Sequence, residues 1–304
     1  METTLTLDEI NIRYGLENHI SIEEKTPGFP IITLQSPSAT ATVAAHGGHV
    51  LSYTPNGEEP VLWLSSLSHY REGKAIRGGI PIIFPWFGPH ATDSDKPSHG
   101  FARTRFWTLH STRLIDGEFP QVRFQLMDSE LTRSLWPSKF TLELVVTLTE
   151  SLKVELIIKN EDTEPFTCTC ALHSYFTVSH VSDIEIQGLE KASYIDQLTD
   201  GPHKVQEGPI TFDAEKDNIY VDTAATCEII DPGFKRAIIV EKSGSLSTVI
   251  WNPWIDKSAR MSDFGDDEYT GMVCIEAANA AHNAITVSPS KTHILSTSIR
   301  AESI

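Results

Sequence analysis

Two residues of the chain have side chains that could exchange protons with a substrate, and both lie in strand-like runs. His173 stands inside "ALHSYF", and Glu276 directly follows the apolar run "MVCI". A histidine titrates near neutral pH, and a carboxylate beside apolar residues needs a partner or takes a raised pKa. The functional interpretation is a catalytic residue for His173 and a general base for Glu276. Taken singly, His173 could be a surface or satisfied core histidine, and Glu276 could belong to a buried ion pair.

The two-residue period of a strand divides the run around His173 between two faces. One face holds Cys170, Leu172, Ser174 and Phe176, and the other holds Ala171, His173 and Tyr175. A histidine and a tyrosine on one face fit the wall of a polar, aromatic cleft better than a sealed core.

Two arginines stand close together in the first third of the chain. Arg77 opens "RGGIPIIFPWFGPH", and Arg103 closes "SHGFAR". A guanidinium offers five donors in a fixed fork, which suits phosphate oxygens or sugar hydroxyls. The glycines after Arg77 predict a backbone that comes close to a ligand. Either arginine could instead be an ordinary surface charge.

The aromatic residues around the arginines are expected mainly in the core, with one or two on a pocket wall. They are Phe84, Trp86, Phe87, Phe101 and Phe106. Further along, "WNPW" suits a strand that ends near a cleft. The acidic stretch "SDFGDDEY" predicts a solvated loop without the spacing of a calcium-binding EF-hand.

Charge and hydropathy exclude several kinds of partner. The chain has 304 residues and a formal net charge of −17, so a nucleic acid or an anionic membrane is not expected to bind. A small anionic substrate stays possible, because a few arginines can form a positive pocket. No run approaches the ~18 apolar residues of a membrane helix. The first twenty residues predict neither a signal nor a transit peptide.

The cysteines and the missing motifs point to a cytoplasmic protein without a metal or cofactor. The four cysteines form no CxxC pair, so buried, reduced thiols in a reducing cytosol are the simplest interpretation. The sequence has no P-loop, no GxGxxG, no HExxH and no GxSxG, and the corresponding enzyme classes lose support.

Most of the chain predicts short strands joined by turns. Runs such as "TLELVVTLTE" and "LKVELIIKN" are rich in β-branched residues, and Gly- and Pro-containing segments separate them. One helical turn is expected in "DSELTRSLWPS". We expect an all-β chain, a large antiparallel sandwich or barrel, that forms one domain over residues 1–304.

The motifs resemble a known family. "AIRGGIPIIFPWFGP", "SHGFARTRFW", "ALHSYF", "VIWNPWIDKSARMSDF" and "MVCIEAANA" are similar, in the same order, to the glucose-6-phosphate 1-epimerases. These are the hexose-6-phosphate mutarotases of the aldose 1-epimerase superfamily. The resemblance covers roughly residues 44–288. It implies a galactose mutarotase-like β-supersandwich with an open cleft on one sheet face.

The resemblance also implies roles for individual residues. His173 matches the catalytic histidine and is assigned as the acid on the sugar ring oxygen, and Glu276 matches the catalytic glutamate and is assigned as the base on the C1 hydroxyl. His99 matches a second cleft histidine, which would stabilise the ring oxygen. Arg77 and Arg103 match the arginines that bind the sugar phosphate.

Three further positions carry substrate contacts or departures from the family pattern. Asp196, in "SYIDQ", matches a substrate-binding aspartate. Ser98 stands where many members carry glutamine, so a substrate contact there would be weaker or lost. Ala277 stands where many members carry proline after the catalytic glutamate.

The expected activity is therefore the interconversion of the α and β anomers of a hexose 6-phosphate, with glucose 6-phosphate as the first candidate. The partner would be this small molecule alone, with no metal and no cofactor, and the protein is expected to be a monomer. Two alternatives stay open: an epimerase of free aldoses such as galactose, and a carbohydrate-binding protein without turnover.

Overall fold

A computed structural model describes residues 6–199, 201 and 203–304. The strands are β1 Ile20–Glu24, β2 Pro30–Gln35, β3 Ala39–Ala44, β4 His49–Pro55, β5 Ile82–Ile83, β6 Thr108–Ile115, β7 Phe119–Met127, β8 Phe140–Leu148, β9 Leu152–Asn160, β10 Phe166–Cys168, β11 Cys170–Leu172, β12 Tyr175–Thr177, β13 Glu185–Gln187, β14 Ser193–Asp196, β15 Lys204–Val205, β16 Lys216–Tyr220, β17 Cys227–Asp231, β18 Arg236–Ser243, β19 Ser247–Asn252, β20 Met272–Asn279, β21 Ile285–Val287 and β22 Thr292–Ser303. The α-helices are α1 Leu7–Tyr14, α2 Glu130–Leu135 and α3 Trp254–Ser258, and short 3-10 turns span Ala102–Thr104, Glu268–Gly271 and Ala281–Asn283.

Two large antiparallel sheets dominate the structure. One has the order β13-β17-β18-β22-β9-β8-β7-β6. The other has the order β15-β14-β16-β19-β20-β11-β5, and β12 also pairs with β20. A four-stranded sheet, β1 to β4, and the pair β10 and β21 complete the fold. The predicted antiparallel sandwich is confirmed.

The main hydrophobic core draws on both large sheets, because each turns one face of alternating side chains inward. From the first sheet it includes Leu144 and Leu156, and from the second it includes Leu172, Ile250 and Ile275. The second sheet therefore has a core face and an outer face. We call its outer face, which carries the site described below, the cleft face.

The predicted helical turn is confirmed as α2, but the sequence contains two more helices than expected. Helix α1 begins with a capping box, in which the Thr6 hydroxyl accepts from the Glu9 backbone N–H and the Glu9 carboxylate accepts from the Thr6 backbone N–H. This T-x-x-E spacing is a readable helix-start signal. Helix α3 has only five residues, and no side-chain cap marks its start.

The four cysteines are free and buried, as predicted. Within the described part of the chain, no helix is long and apolar enough to cross a membrane.

Candidate active site

A cleft of about 360 Å³ opens on the cleft face of the second sheet. Its wall contains most of the residues that the sequence singled out, together with several that it did not. The lining residues are Arg77, Phe87, Gly88, Pro89, Ser98, His99, Arg103, His173, Tyr175, Gln197, Asp217, Trp251, Lys257, Met261 and Glu276.

Strand register brings His173 and Glu276 together. Leu172 in β11 pairs with Ala277 in β20, and Tyr175 in β12 pairs with Cys274. The same antiparallel register places His173 opposite Glu276. Their Nε2 and Oε1 atoms are 3.3 Å apart, and the side chains are only 9% and 1% exposed. Two residues a hundred positions apart thus form one buried pair.

The run from Cys170 to Phe176 is divided into β11 and β12, with His173 and Ser174 between them, and its side chains still follow the predicted alternation. Cys170, Leu172 and Phe176 point into the main core. Tyr175 belongs to a separate cluster on the cleft face with Trp251. The side-chain period of β20 likewise explains why Glu276 reaches the cleft: Val273, Ile275 and Ala277 belong to the main core, and the alternate positions face outward.

Burial governs the charge of the pair. Removal from water raises the pKa of Glu276 well above its ordinary value, and Asp217 raises it further, while Arg103 opposes the shift. Removal from water lowers the pKa of His173, and His99, Arg103 and Arg77 lower it further. These opposite shifts favour a protonated Glu276 carboxyl beside a neutral imidazole.

His99 presents a neutral donor to the same cleft. Its Nδ1 accepts a hydrogen bond from the Gly88 backbone N–H at 3.2 Å. Burial lowers the pKa of His99, and the charges of Arg103, Arg77 and Lys257 lower it further. A neutral ring that accepts at Nδ1 carries its proton on Nε2. The ring centroids of His99 and His173 are 6.0 Å apart, so the two histidines lie side by side in the cleft.

Arg77 is held in place before any substrate arrives. Its Nε and Nη2 atoms donate to the Asp263 carboxylate at 3.1 to 3.3 Å, and its Nη1 donates to the Tyr175 hydroxyl at 3.0 Å. Asp263 lies in the acidic stretch predicted as a solvated loop. That prediction was wrong in part: Asp263 pairs with Arg77, and Glu268 accepts from Ser65 Oγ and from the Ser66 backbone N–H.

Arg103 has a different environment. Its Nη2 donates to the Ser98 backbone carbonyl at 3.0 Å, and its buried Nε has no hydrogen-bond partner. It makes no ion pair with residues 6–199, 201 or 203–304. Removal from water and the neighbouring Arg77 lower the pKa of Arg103 to about 10, so it stays charged at neutral pH. Its charge is not neutralised by a direct carboxylate contact.

One glycine after Arg77 lets two backbone segments approach closely. Gly79 has a φ of +60°, and a Cβ atom there would lie 2.1 Å from the Val50 carbonyl oxygen. This close approach lets the chain from Gly79 run beside β12, where the Tyr175 N–H donates to the Gly79 carbonyl. The predicted approach of this backbone to a ligand stays a prediction.

The aromatic residues of these motifs divide between core and wall. Phe84 and Phe101 are fully buried in the main core, and Trp86 packs against it. Phe87 lines the cleft. Phe106 is 37% exposed and lines a second groove beside Trp107, so two of the five aromatic residues lie on pocket walls, as the sequence allowed.

Asp196 lies outside the lining of the cleft. Ile195, its neighbour in β14, packs toward the cleft face, whereas Tyr194 packs against the main core. Strand alternation therefore turns Asp196 away from the cleft. Its carboxylate pairs instead with Lys204 at 2.6 Å.

The sequence reasoning missed an acidic and basic cluster that does line the cleft. Asp217 in β16 pairs across the ladder with Trp251 in β19, and both face the cleft. The Gln197 amide donates to Asp217 at 2.5 Å, and Lys257 bridges Asp217 and Glu215. The "WNPW" motif predicted a strand that ends near a cleft, but it did not show which strand pairs with it. Ser98 lines the cleft as well.

Comparison with known proteins places the chain in a family. Residues 30–300 match the model of the aldose 1-epimerase family. A Salmonella typhimurium protein described as "Putative glucose-6-phosphate 1-epimerase" is 38% identical over 264 residues, which cover 86% of this chain and 87% of the relative.

Solved structures show the same fold. The crystal structure of "a putative mutarotase" from Salmonella typhimurium superposes with a TM-score of 0.88 at 34% identity, over 96% of both chains. Galactose 1-epimerase from Lactobacillus acidophilus has a TM-score of 0.73 at 14% identity, over 94% of this chain and 98% of the other, and shows the fold alone. The predicted galactose mutarotase-like supersandwich is confirmed. The chain belongs to the aldose 1-epimerase family.

Proposed function

We propose that the protein interconverts the α and β anomers of a hexose 6-phosphate, with glucose 6-phosphate as the first candidate. One observation carries the proposal: His173 and Glu276 face each other at 3.3 Å in a cleft that Arg103 also lines. The name of the Salmonella relative supports the same substrate.

The reaction needs one acid and one base on the sugar ring. Opening of the hemiacetal transfers a proton to the ring oxygen while the C1 hydroxyl loses one. Rotation about C1–C2 then exposes the other face of the aldehyde, and closure reverses both transfers. The acid and the base exchange roles in each turnover. A pair in which either residue can hold the proton is therefore suited to conversion from α to β and from β to α.

The directions of the two pKa shifts run against the roles assigned from the family. Burial favours a protonated Glu276 carboxyl and a neutral His173 imidazole. For His173 to act as the acid, a proton must pass between Oε1 and Nε2, which are 3.3 Å apart. The family roles of the two residues stay a prediction.

His99 is suited to assist at the ring oxygen. Because Nδ1 accepts from Gly88, the Nε2–H group is free to donate into the cleft. A neutral donor aimed at the oxygen on which charge develops stabilises the transition state without becoming the proton source.

The arginines would hold the phosphate far from the reacting carbon. Arg103 brings a charge that no described carboxylate neutralises by direct contact, and Arg77 brings N–H donors whose direction Asp263 has fixed. Binding energy from this remote group orients the C1 end between the acid and the base. We include Ser98 as a weak substrate contact. Asp217 places a carboxylate in the cleft, whereas Asp196 lies outside the cleft lining.

The cellular setting and assembly state of the protein form part of the proposal. We place it in the cytosol as a monomer that needs no metal or cofactor. The four buried free thiols support a reducing compartment.

Exchange NMR on glucose 6-phosphate tests the activity directly. The wild-type protein should accelerate exchange between the two anomeric signals, and His173→Asn or Glu276→Gln should lower kcat by roughly 10²- to 10⁴-fold, as expected for loss of a general acid or base. His110→Asn, at an exposed position of β6, is the matched control. Wild-type exchange in either cleft variant would remove that residue from the mechanism. Absence of exchange with the wild-type protein would favour a carbohydrate-binding protein without turnover.

A further inference from the structure

Tyr175 lies between the group that would bind phosphate and the group that would transfer a proton. Its hydroxyl accepts a hydrogen bond from Arg77 Nη1 at 3.0 Å. Its ring stacks on the His173 imidazole with the centroids 4.7 Å apart and the planes 9° from parallel. One side chain thus touches both ends of the proposed machinery.

The surroundings of Tyr175 fix its ring. The residue is 1% exposed. Trp63 stacks on it at 5.7 Å, and Trp251 meets it edge-on at 6.0 Å. The Tyr175 N–H is also held by the Gly79 carbonyl, two residues after Arg77. Because these contacts hold the Tyr175 ring in place, the ring can fix the orientation of the side chains that it touches.

Two sides of the Arg77 guanidinium are therefore held by hydrogen-bond partners. Asp263 occupies the Nε and Nη2 side, and the Tyr175 hydroxyl occupies one N–H of Nη1. Burial raises the pKa of Tyr175, so the phenol stays neutral and its oxygen remains an acceptor at neutral pH. The N–H groups of Nη1 and Nη2 that remain then point in a defined direction, as a fork for an oxyanion requires.

The His173 ring has no side-chain hydrogen bond to hold it from behind. Its Nδ1 is buried and has no partner among residues 6–199, 201 and 203–304, whereas catalytic histidines commonly have that nitrogen fixed by a carboxylate or carbonyl. The stacked phenol, together with Trp251 edge-on at 6.2 Å, restrains the imidazole plane so that Nε2 lies beside Glu276. An aromatic face also favours the imidazolium that forms during turnover.

We infer that Tyr175 is a positioning residue that couples the two ends of the cleft: its hydroxyl orients Arg77 and its ring orients His173. The inference rests on the proposed function, because it assigns phosphate recognition to Arg77 and proton transfer to His173. The two contacts are separable, because phenylalanine keeps the ring and loses only the hydroxyl.

Two substitutions distinguish the two contacts. Tyr175→Phe should lower the ratio of kcat/KM for glucose 6-phosphate over glucose by about 3- to 10-fold, mainly through KM, because Arg77 loses one orienting acceptor. Tyr175→Leu removes the stacked ring as well, and it should in addition lower kcat for both sugars by roughly 10-fold or more. Phe176→Leu, on the opposite face of the same strand, is the control for a buried aromatic, and it should keep the ratio of the wild type.

An NMR signature of His173 tests the stacking independently of turnover. In protein labelled at the histidine ring carbon, the Hε1 signal of His173 should keep its shielded position in Tyr175→Phe and move downfield in Tyr175→Leu. If the leucine variant does not fold, Tyr175→Met serves in its place.

An unchanged phosphate preference in Tyr175→Phe, or an unshifted His173 signal in the leucine or methionine variant, would overturn the inference. A uniform loss of activity in both variants with the phosphate preference intact would reduce Tyr175 to a structural role. A wild-type protein without anomer exchange would instead contradict the proposed function, and the NMR signature would still decide the stacking contact.

Discussion

Glu276 shows how a single buried side chain of the candidate site carries a cost in stability. Its position after an apolar run predicted burial, and the structure confirms it at 1% exposure. Its Oε2 atom has no hydrogen-bond partner in the described chain. Burial without a hydrogen bond to this oxygen favours the protonated carboxyl.

Replacement of Glu276 by glutamine should therefore stabilise the protein more strongly as the pH rises. The unfolded carboxyl releases its proton near the ordinary pKa of 4.5, while the folded one keeps it because burial raises the pKa. Stability from the protonated group is complete below about pH 4.5 and is lost as the pH rises toward the folded pKa. Glutamine stays uncharged at every pH, so its advantage should grow by up to about 1.4 kcal/mol per pH unit.

Thermal denaturation of Glu276→Gln and the wild type between about pH 5 and pH 8 measures this advantage. This whole window lies above the ordinary pKa of a carboxyl group. Glu118→Gln, at an exposed hairpin position, is the matched control and should show a constant difference from the wild type. A constant difference for Glu276→Gln as well would show that the folded carboxyl is ionised.

Arg103 is the residue whose loss should report most clearly on phosphate recognition. Arg103→Ala should raise KM for glucose 6-phosphate roughly 10- to 100-fold with a smaller effect on kcat, because charge-assisted hydrogen bonds to the remote phosphate are lost. Steady-state kinetics with glucose 6-phosphate and glucose measure this effect. Arg113→Ala, which removes an exposed arginine of β6 bonded to Gln121, is the control. If Arg103→Ala kept the wild-type preference for the phosphorylated sugar, its assigned role would be wrong.

At the scale of the elements, the sequence predicted the face of a strand on which a side chain lies, because strand alternation alone decides it. The sequence placed His173 and Tyr175 on one face of "CALHSYF", and the structure confirms this because adjacent side chains of a strand point to opposite faces. The pairing of β11 and β12 with β20 is a property of the whole sheet. The facing of His173 and Glu276 could therefore be expected only from the family resemblance.

Contacts between distant segments were not predictable. Arg77 and Asp263 are 186 positions apart, and no local pattern marks the acidic stretch as the partner of the arginine. Asp217 was missed for a similar reason, since its place beside Trp251 depends on the register of β16 and β19. Asp196 was preferred by motif similarity, and strand alternation turns it away from the cleft.

The turn before Arg103 depends on a glycine that the sequence showed but did not explain. Gly100 has a φ of +70°, and a Cβ atom there would lie 2.0 Å from the Phe84 carbonyl oxygen. Gly100→Ala should therefore lower the free energy of unfolding by roughly 3 kcal/mol or more, since left-handed strain adds to a backbone clash. Chemical denaturation measures the loss.

Gly57→Ala provides the matched control for this turn. Gly57 has a similar φ of +78°, but no atom lies within 4 Å of the added Cβ. Its cost should be limited to the left-handed strain of roughly 1 kcal/mol. Equal losses for the two variants would show that the backbone contact at Phe84 does not constrain Gly100.

At the scale of the whole molecule, the residues that stabilise the fold and the residues that line the cleft lie on different faces of the packed sheets. One face of each large sheet fills the main core, and the outer face of the second sheet carries the cleft. A net charge of −17 does not oppose an anionic substrate, because the arginines act locally inside the cleft. The organisation of residues 1–304 as one domain stays a prediction, and a core that draws on strands from both ends of the chain supports it.

The ratio of kcat/KM for glucose 6-phosphate over glucose, measured by exchange NMR on the wild-type protein, tests the central claim most directly. A cleft in which two arginines hold the phosphate while His173 and Glu276 open the ring predicts a preference on the order of 10²-fold or more for the phosphorylated sugar. Equal values for the two sugars would contradict the account and would favour an epimerase of free aldoses.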